Sequence, residues 1–329
     1  MMDKYILNFP EQLESGLQIA EQFQFTTSQK ITNVVISGMG GSGIGGTFAY
    51  EYAFAQSPVP ILVNKSYHLP EFINDNTLVI LSSYSGNTEE TLSCLNDAVR
   101  KNAIIVGITS GGKLEELSRQ HQFPIIKLPQ GFPPRTCLGY SLVAVLSILE
   151  KAHIISDKWK NEIKEAIEIL KQHQNDIRAL SQKMAQQIHS TFPMIYSLHS
   201  EALAVRLRQQ LNENSKILCS HHIIPEMNHN EIVGWKHLYC KLSVISILTD
   251  FDLEANKKRY AFCKKVFEQF NTPIIELKAK GQSLLAQWVY IVHIADWISY
   301  ELALLNNADP IEVKVIDQLK SELSNTIKN

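Results

Sequence analysis

The sequence predicts an α/β protein of two subdomains, each a doubly wound, mainly parallel sheet flanked by helices. Three observations carry that expectation. Short runs of Val, Ile and Leu alternate with helix-like runs from residue 34 to residue 128. Two loops rich in glycine and hydroxyls each join such a run to a helix-like stretch. The same rhythm returns, more loosely, beyond residue 192.

The elements follow in order. Val34-Val35-Ile36 is a first strand, ending in Gly38-Met39-Gly40-Gly41-Ser42-Gly43, with a helix over residues 44–54. Pro60-Ile61-Leu62-Val63 is a second strand. Thr77-Leu78-Val79-Ile80-Leu81 leads into Ser83-Tyr84-Ser85-Gly86-Asn87-Thr88 and a helix over 88–101. Residues 103–108 and 124–128 are further strands around a short helix at 113–121. Pro133-Pro134-Arg135 breaks the rhythm, since two prolines fix an extended turn that presents Arg135 on a loop. A long helical region over 140–187, interrupted near 153–156, bridges to the second half. There, strands at 193–198, 242–248 and 273–277 alternate with helices at 202–211, 257–270 and 283–305, and Asp309-Pro310 opens a last helix. A boundary is expected between residues 1–150, which hold both glycine loops, and residues 151–329. No low-complexity linker separates the halves, so they are expected to pack tightly with a ligand cleft between them.

Composition narrows the possibilities. The chain has 329 residues, 45% hydrophobic content and a net charge of −2, which gives no sign of a nucleic-acid or membrane partner. No apolar run approaches the ~18 residues of a spanning helix, and Met1-Met2-Asp3-Lys4-Tyr5 does not read as a signal peptide. The five cysteines form no C-x-x-C pair. Free thiols in a reducing cytoplasm are expected.

The two loops carry the chemistry. Each aims free backbone N–H groups and the positive end of a helix dipole at one point, and hydroxyls add donors. Gly38-Met39-Gly40-Gly41-Ser42-Gly43 matches G-x-G-x-x-G, but the next strand ends in Leu62-Val63-Asn64-Lys65 without the acid that would hold a ribose. No lysine precedes Thr47, so a Walker A loop also fails. Ser83, Ser85 and Thr88 set three hydroxyls around Gly86, more than one helix cap needs. A phosphate ester held by neutral donors is the reading. A tight structural turn and an NADP site remain alternatives for the first loop.

Taken together, these loops with Pro133-Pro134-Arg135, Asn212-Glu213-Asn214-Ser215-Lys216, Asn228-His229-Asn230-Glu231-Ile232 and residues 309–320 resemble the bifunctional phosphoglucose/phosphomannose isomerases, built on the sugar isomerase (SIS) fold. The resemblance covers nearly the whole chain. It implies two SIS-type subdomains, a homodimer, a place in carbohydrate metabolism, and no metal or cofactor. It also implies reversible conversion of glucose 6-phosphate and mannose 6-phosphate to fructose 6-phosphate through a cis-enediol. Gly41, Ser42, Ser83, Ser85 and Thr88 match the phosphate-binding positions. Glu213 matches the catalytic base, Arg135 the cation beside C1 and C2, and His229 with Lys320 the ring-opening pair. His229 is expected to reach in from a neighbouring subunit.

The chemistry is consistent with those residue types. A carboxylate can move a proton between adjacent carbons, and a planar guanidinium suits the enediolate oxygens. His221, His222, Glu226, His229 and Glu231 cluster in sequence, but their spacing matches no zinc pattern. Trp288, Tyr290, His293 and Trp297 are expected in core or interface. The alternative function is a non-catalytic sugar-phosphate sensor or regulator on the same fold. Such regulators carry a DNA-binding arm, and the stretch before Val34 is short and lacks a basic segment.

Overall fold

A computed structural model describes residues 1–326. Two helices come first, α1 (Met2–Leu7) and α2 (Phe9–Gln22). Pro10 stands in the first turn of α2, where its missing N–H has no partner to lose. Phe9, Leu13 and Leu17 share one buried face at helical spacing. The periodic strand signal that begins at Val34 gives no hint of this pair.

The first sheet takes β1 (Asn33–Gly38), β2 (Ile61–Asn64), β3 (Thr77–Ser82), β4 (Ile104–Thr109) and β5 (Ile125–Lys127). Their order is β2-β1-β3-β4-β5, and every neighbouring pair is parallel. Helices α3 (Gly40–Ala53), α4 (Glu89–Arg100) and α5 (Gly112–His121) make the crossovers. Continuous apolar runs such as Leu78-Val79-Ile80-Leu81 are buried on both faces, as a sheet covered by helices on either side requires. β1 and β3 are neighbours with their crossovers leaving in opposite directions. Ligands bind beyond the carboxyl ends of strands at such a switch point, and both glycine loops emerge there.

The bridging region is two helices, α6 (Leu138–Lys151) and α7 (Trp159–Ile188). The break falls where expected, with His153 in the left-handed region at φ 59°. The second sheet holds β6 (Phe192–Ser197), β7 (Ser220–Ile223), β8 (Leu242–Leu248) and β9 (Ile274–Lys278) in the parallel order β7-β6-β8-β9. α8 (Glu201–Glu213) follows β6, and α9 (Glu254–Glu268) follows β8. α10 (Leu284–Leu305) is mostly apolar and buried on nearly every side, with Trp288, Tyr290, His293 and Trp297 inside. Burial pushes the His293 imidazole down to about 3, so it stays neutral.

One hydrophobic cluster runs from Met2 through α6, α7 and α8 to Leu302, so the halves share a core. The central helices α3 and α8 also lock to each other. Glu51, near the end of α3, accepts from the backbone N of Ala202 at 2.8 Å and from the Ser200 hydroxyl at 2.5 Å, at the start of α8. Burial lifts its carboxyl to about 7.

One boundary and one strand depart from the sequence reading. The last helix, α11 (Lys314–Thr326), starts five residues later than Asp309. Asp309 instead caps the N–H of Ile311 at 2.8 Å, and the carbonyls of Pro310 and Ile311 are drawn off to Arg135. β7 is an edge strand of sequence Ser-His-His-Ile, too short and polar to stand out by pattern. Among the described residues no helix is long and apolar enough to cross a membrane.

Candidate active site

The first loop is shaped by contact with Arg135's own backbone. A Cβ on Gly41 would lie 2.6 Å from the carbonyl oxygen of Pro134 and 2.7 Å from the backbone N of Arg135. Only glycine lets α3 start against that turn. Ser42 is buried, and its Oγ accepts from the backbone N of Tyr84 at 2.9 Å, while Ser82 Oγ donates to its carbonyl at 3.1 Å. The Ser42 hydroxyl thus ties the first loop to the second.

The second loop turns at Gly86, which sits at φ +70° with Gly111 packed against it. A Cβ there would fall 1.8 Å from the Gly111 carbonyl oxygen. Asn87 Oδ1 accepts from the backbone N of Lys113 at 3.0 Å, which fixes the loop to α5. Ser83 is buried and shares a 2.8 Å hydrogen bond with the Thr88 hydroxyl. Thr88 occupies the N-cap position of α4, yet its side chain caps nothing. Ser85 is exposed at the rim. Ser83, Ser85 and Thr88 therefore gather hydroxyls at a helix start whose first N–H groups have no side-chain partner.

Arg135 lies in the 3-10 turn Pro134–Thr136 and is only 4% exposed. Its Nε donates to Asn214 Oδ1 at 2.8 Å, and Nη2 donates to the carbonyls of Pro310 at 2.6 Å and Ile311 at 3.0 Å. Nη1 faces Glu213 Oε2 at 3.6 Å. Burial holds the guanidinium pKa below its ordinary value, and the Glu213 charge opposes that shift. Glu213 is the last residue of α8, about a quarter exposed, so its carboxyl meets both the buried arginine and open space.

Behind this pair stands a support that the sequence did not reveal. Asn214 is fully buried and donates through Nδ2 to Ser299 Oγ at 2.9 Å. Arg206 Nη1 donates to the Arg135 carbonyl at 2.8 Å, and its Nε and Nη2 bind Asp296 at 3.1 and 2.7 Å. Gln210 Nε2 gives Asp296 a third donor at 2.9 Å. Burial raises the Asp296 pKa, with Arg206 the chief opposing influence. The only advance signal was an Arg and a Gln four apart on α8, a pattern shared by many surface helices.

His229 ends the 3-10 turn Glu226–His229 after β7 and is exposed, and Lys320 is exposed on α11. Neither has a hydrogen bond or ion pair with Glu213 or Arg135. The residues around His229 turn to separate partners. His221 faces Glu201 at 3.8 Å, His222 Nδ1 accepts from the backbone N of Ile223, Glu226 accepts from Asn230, and Glu231 accepts from the Tyr196 hydroxyl. Among the described residues no three His, Cys, Asp or Glu assemble in a way that could hold a metal ion.

Known proteins resemble this chain in both sequence and fold. Residues 177–323 match the model of the bacterial phospho-glucose isomerase C-terminal SIS domain. A bifunctional phosphoglucose/phosphomannose isomerase of Caldicellulosiruptor bescii is 33% identical over 98% of this chain and 99% of its own. One from Aquifex aeolicus is 39% identical over 88% of this chain and 90% of its own. Among solved structures, the C-terminal domain of glucosamine-fructose-6-phosphate aminotransferase from Francisella tularensis superposes with a TM-score of 0.75 at 16% identity, covering 94% of this chain and 97% of that one. That likeness speaks for the fold of two parallel sheets, and the relatives speak for more. With glycine loops, arginine and carboxylate converging at one switch point, and identity above 30% over its full length, the chain belongs to the bifunctional phosphoglucose/phosphomannose isomerase family of SIS-fold enzymes.

Proposed function

We propose that this enzyme interconverts glucose 6-phosphate and mannose 6-phosphate with fructose 6-phosphate. The observation that carries the reading is the apposition of Arg135 and Glu213, one loop away from the uncapped start of α4. Ser83, Ser85, Thr88 and the backbone at Gly41 and Ser42 hold the 6-phosphate, and the sugar's first two carbons reach Glu213. The carboxylate removes the proton from C2 of the open aldose. The C1 carbonyl oxygen becomes the enediolate oxygen near the guanidinium and ends with the proton that O2 gives up. Glu213 returns its proton to C1 as the O2 hydroxyl loses its own, which gives the ketose. On the reverse path Glu213 returns a proton to C2, and the face of the enediol turned toward it sets glucose or mannose configuration.

Hexose phosphates are mostly cyclic, so a proton must first reach the ring oxygen. We assign this to His229 and Lys320. The exposure of His229, which has no hydrogen bond or ion pair with Glu213, supports its delivery from a second copy in a cytoplasmic homodimer, with the division near residue 150 separating a phosphate-holding half from a half that supplies Glu213. The sensor reading is not favoured, because the full-length relatives carry the name of an isomerase.

A coupled assay of the purified protein on both phosphosugars tests the activity, run with and without chelator. Turnover of both, indifferent to chelator, is expected, and turnover of neither would refute it. Mixing Glu213→Gln with His229→Asn tests the dimer. Recovery of up to about a quarter of wild-type activity in the mixture is expected, since reassorted dimers then hold one intact site. No recovery despite subunit exchange would refute the shared site.

A further inference from the structure

Arg135 has little capacity left for a substrate. Of its five N–H groups, Nε is engaged by Asn214 and Nη2 by two backbone carbonyls. Only the Nη1 edge remains, and it faces Glu213. An aldose–ketose isomerisation develops negative charge on two oxygens in turn, O1 and then O2. A guanidinium clamped by three bonds cannot follow that charge from one oxygen to the other.

Lys216 is the cation that follows Glu213 in the chain. It lies three residues past Glu213, with its backbone in the left-handed region at φ +59°. That conformation costs a long side chain about 1 kcal/mol. The turn folds the chain back so that Lys216 Nζ donates to the carbonyl of Glu213 itself. One of three ammonium hydrogens is thereby engaged and two are available. The charged groups that act on it are Arg135, Glu213, Asp309 and Glu312. Burial and then Arg135 hold its pKa below the ordinary lysine value, and the three carboxylates oppose them. Lys216 and Arg135 thus both engage Glu213, the lysine at its backbone carbonyl and the arginine at its carboxylate.

We propose that Lys216 is a second catalytic cation, whose ammonium hydrogen-bonds the enediolate oxygen that the free edge of Arg135 does not reach. The proposal rests on the isomerase reading. The lysine makes and breaks no bond to carbon and keeps its three protons throughout. Glu213 alone carries the proton between C1 and C2.

The test compares wild type with Lys216→Met, Lys216→Arg and Lys216→Ala, the last with added methylammonium. Lys216→Met is expected to lower kcat about 10²-fold while KM moves less than about threefold. Lys216→Arg should stay within about tenfold of wild type. Methylammonium should restore part of the Ala variant's kcat saturably. The alkaline fall of the wild-type kcat profile should be absent in Lys216→Met. A merely structural lysine would give neither amine rescue nor a changed pH profile, and that result overturns the proposal. So does a Lys216→Met enzyme within threefold of wild-type kcat. Wild-type protein inactive on both sugars would sink the isomerase reading first, whereas an active wild type beside an unimpaired Lys216→Met would sink the lysine's role alone.

Discussion

Replacing Arg206 with Met should expose how much the site depends on its buried support. Arg206 is 2% exposed and holds Asp296 through two nitrogens and the Arg135 carbonyl through a third. Arg206→Met leaves Asp296 with Gln210 as its remaining donor and strips that carbonyl of its partner. An uncompensated buried charge costs about 3–5 kcal/mol, and protonation of Asp296 limits it to the lower end. We therefore expect a loss of about 3 kcal/mol of unfolding free energy. The double variant Arg206→Met/Asp296→Leu removes both charges and leaves two neutral groups unpaired, for a loss of about 2 kcal/mol. The double variant should thus be more stable than the single one. Equilibrium denaturation in guanidinium, followed by the fluorescence of the four tryptophans, measures both. The pH dependence has a definite sign. Asp296 in the folded single variant has a raised pKa, so its penalty is absent when both states are protonated and grows as pH rises through the folded value. The gap between single and double variants should close in acid. A double variant less stable than Arg206→Met at pH 7 would refute the account.

Other outcomes follow from the same structure. Glu213→Gln should lower kcat by about 10³-fold or more and leave stabilisation by fructose 6-phosphate in a thermal-shift assay nearly intact; equal loss of both would argue against a base. Ser85→Ala combined with Thr88→Val should raise KM about tenfold with kcat within threefold, because the phosphate is held alike in ground and transition states. A fall in kcat alone would contradict that. Glu51 has a folded pKa raised from 4.5 to about 7, so its stabilising contribution is complete below pH 4.5 and lost as pH rises through 7. At about 1.4 kcal/mol per unit, Glu51→Gln should remove about 3 kcal/mol of the stability difference between pH 4 and pH 8. Parallel stability–pH curves for the two proteins would count against it.

The sheets were legible because fully buried parallel strands are continuous apolar runs, and Val34-Val35-Ile36 or Leu78-Val79-Ile80-Leu81 has no other comfortable fate. The loops were legible because glycine at Gly41 and Gly86 answers a steric demand that no other residue meets. Arg135 stood out because two prolines precede it. The support behind it was not legible. Nothing in the order of residues says that Arg206, Asp296 and Asn214, spread over 90 positions, meet around one carbonyl and one guanidinium. Long-range polar contacts carry no periodicity, unlike apolar faces. The Asn-Glu-Asn-Ser-Lys run drew notice for its glutamate, while its second asparagine holds the arginine in place. α1 and α2 were missed for a different reason: their amphipathic pattern lies before the first strand, where no rhythm had begun.

Arg135 reaches across the molecule for its acceptors. The guanidinium is contributed by the first half, and the atoms that hold it, at positions 214, 310 and 311, come from the second. Chimeras spliced near the midpoint of two family members would inherit the arginine from one parent and its cradle from the other. Whether such hybrids turn over substrate then depends on a handful of atoms at one seam rather than on overall similarity. A screen of shuffled genes should find its survivors clustered by the identity of those few positions.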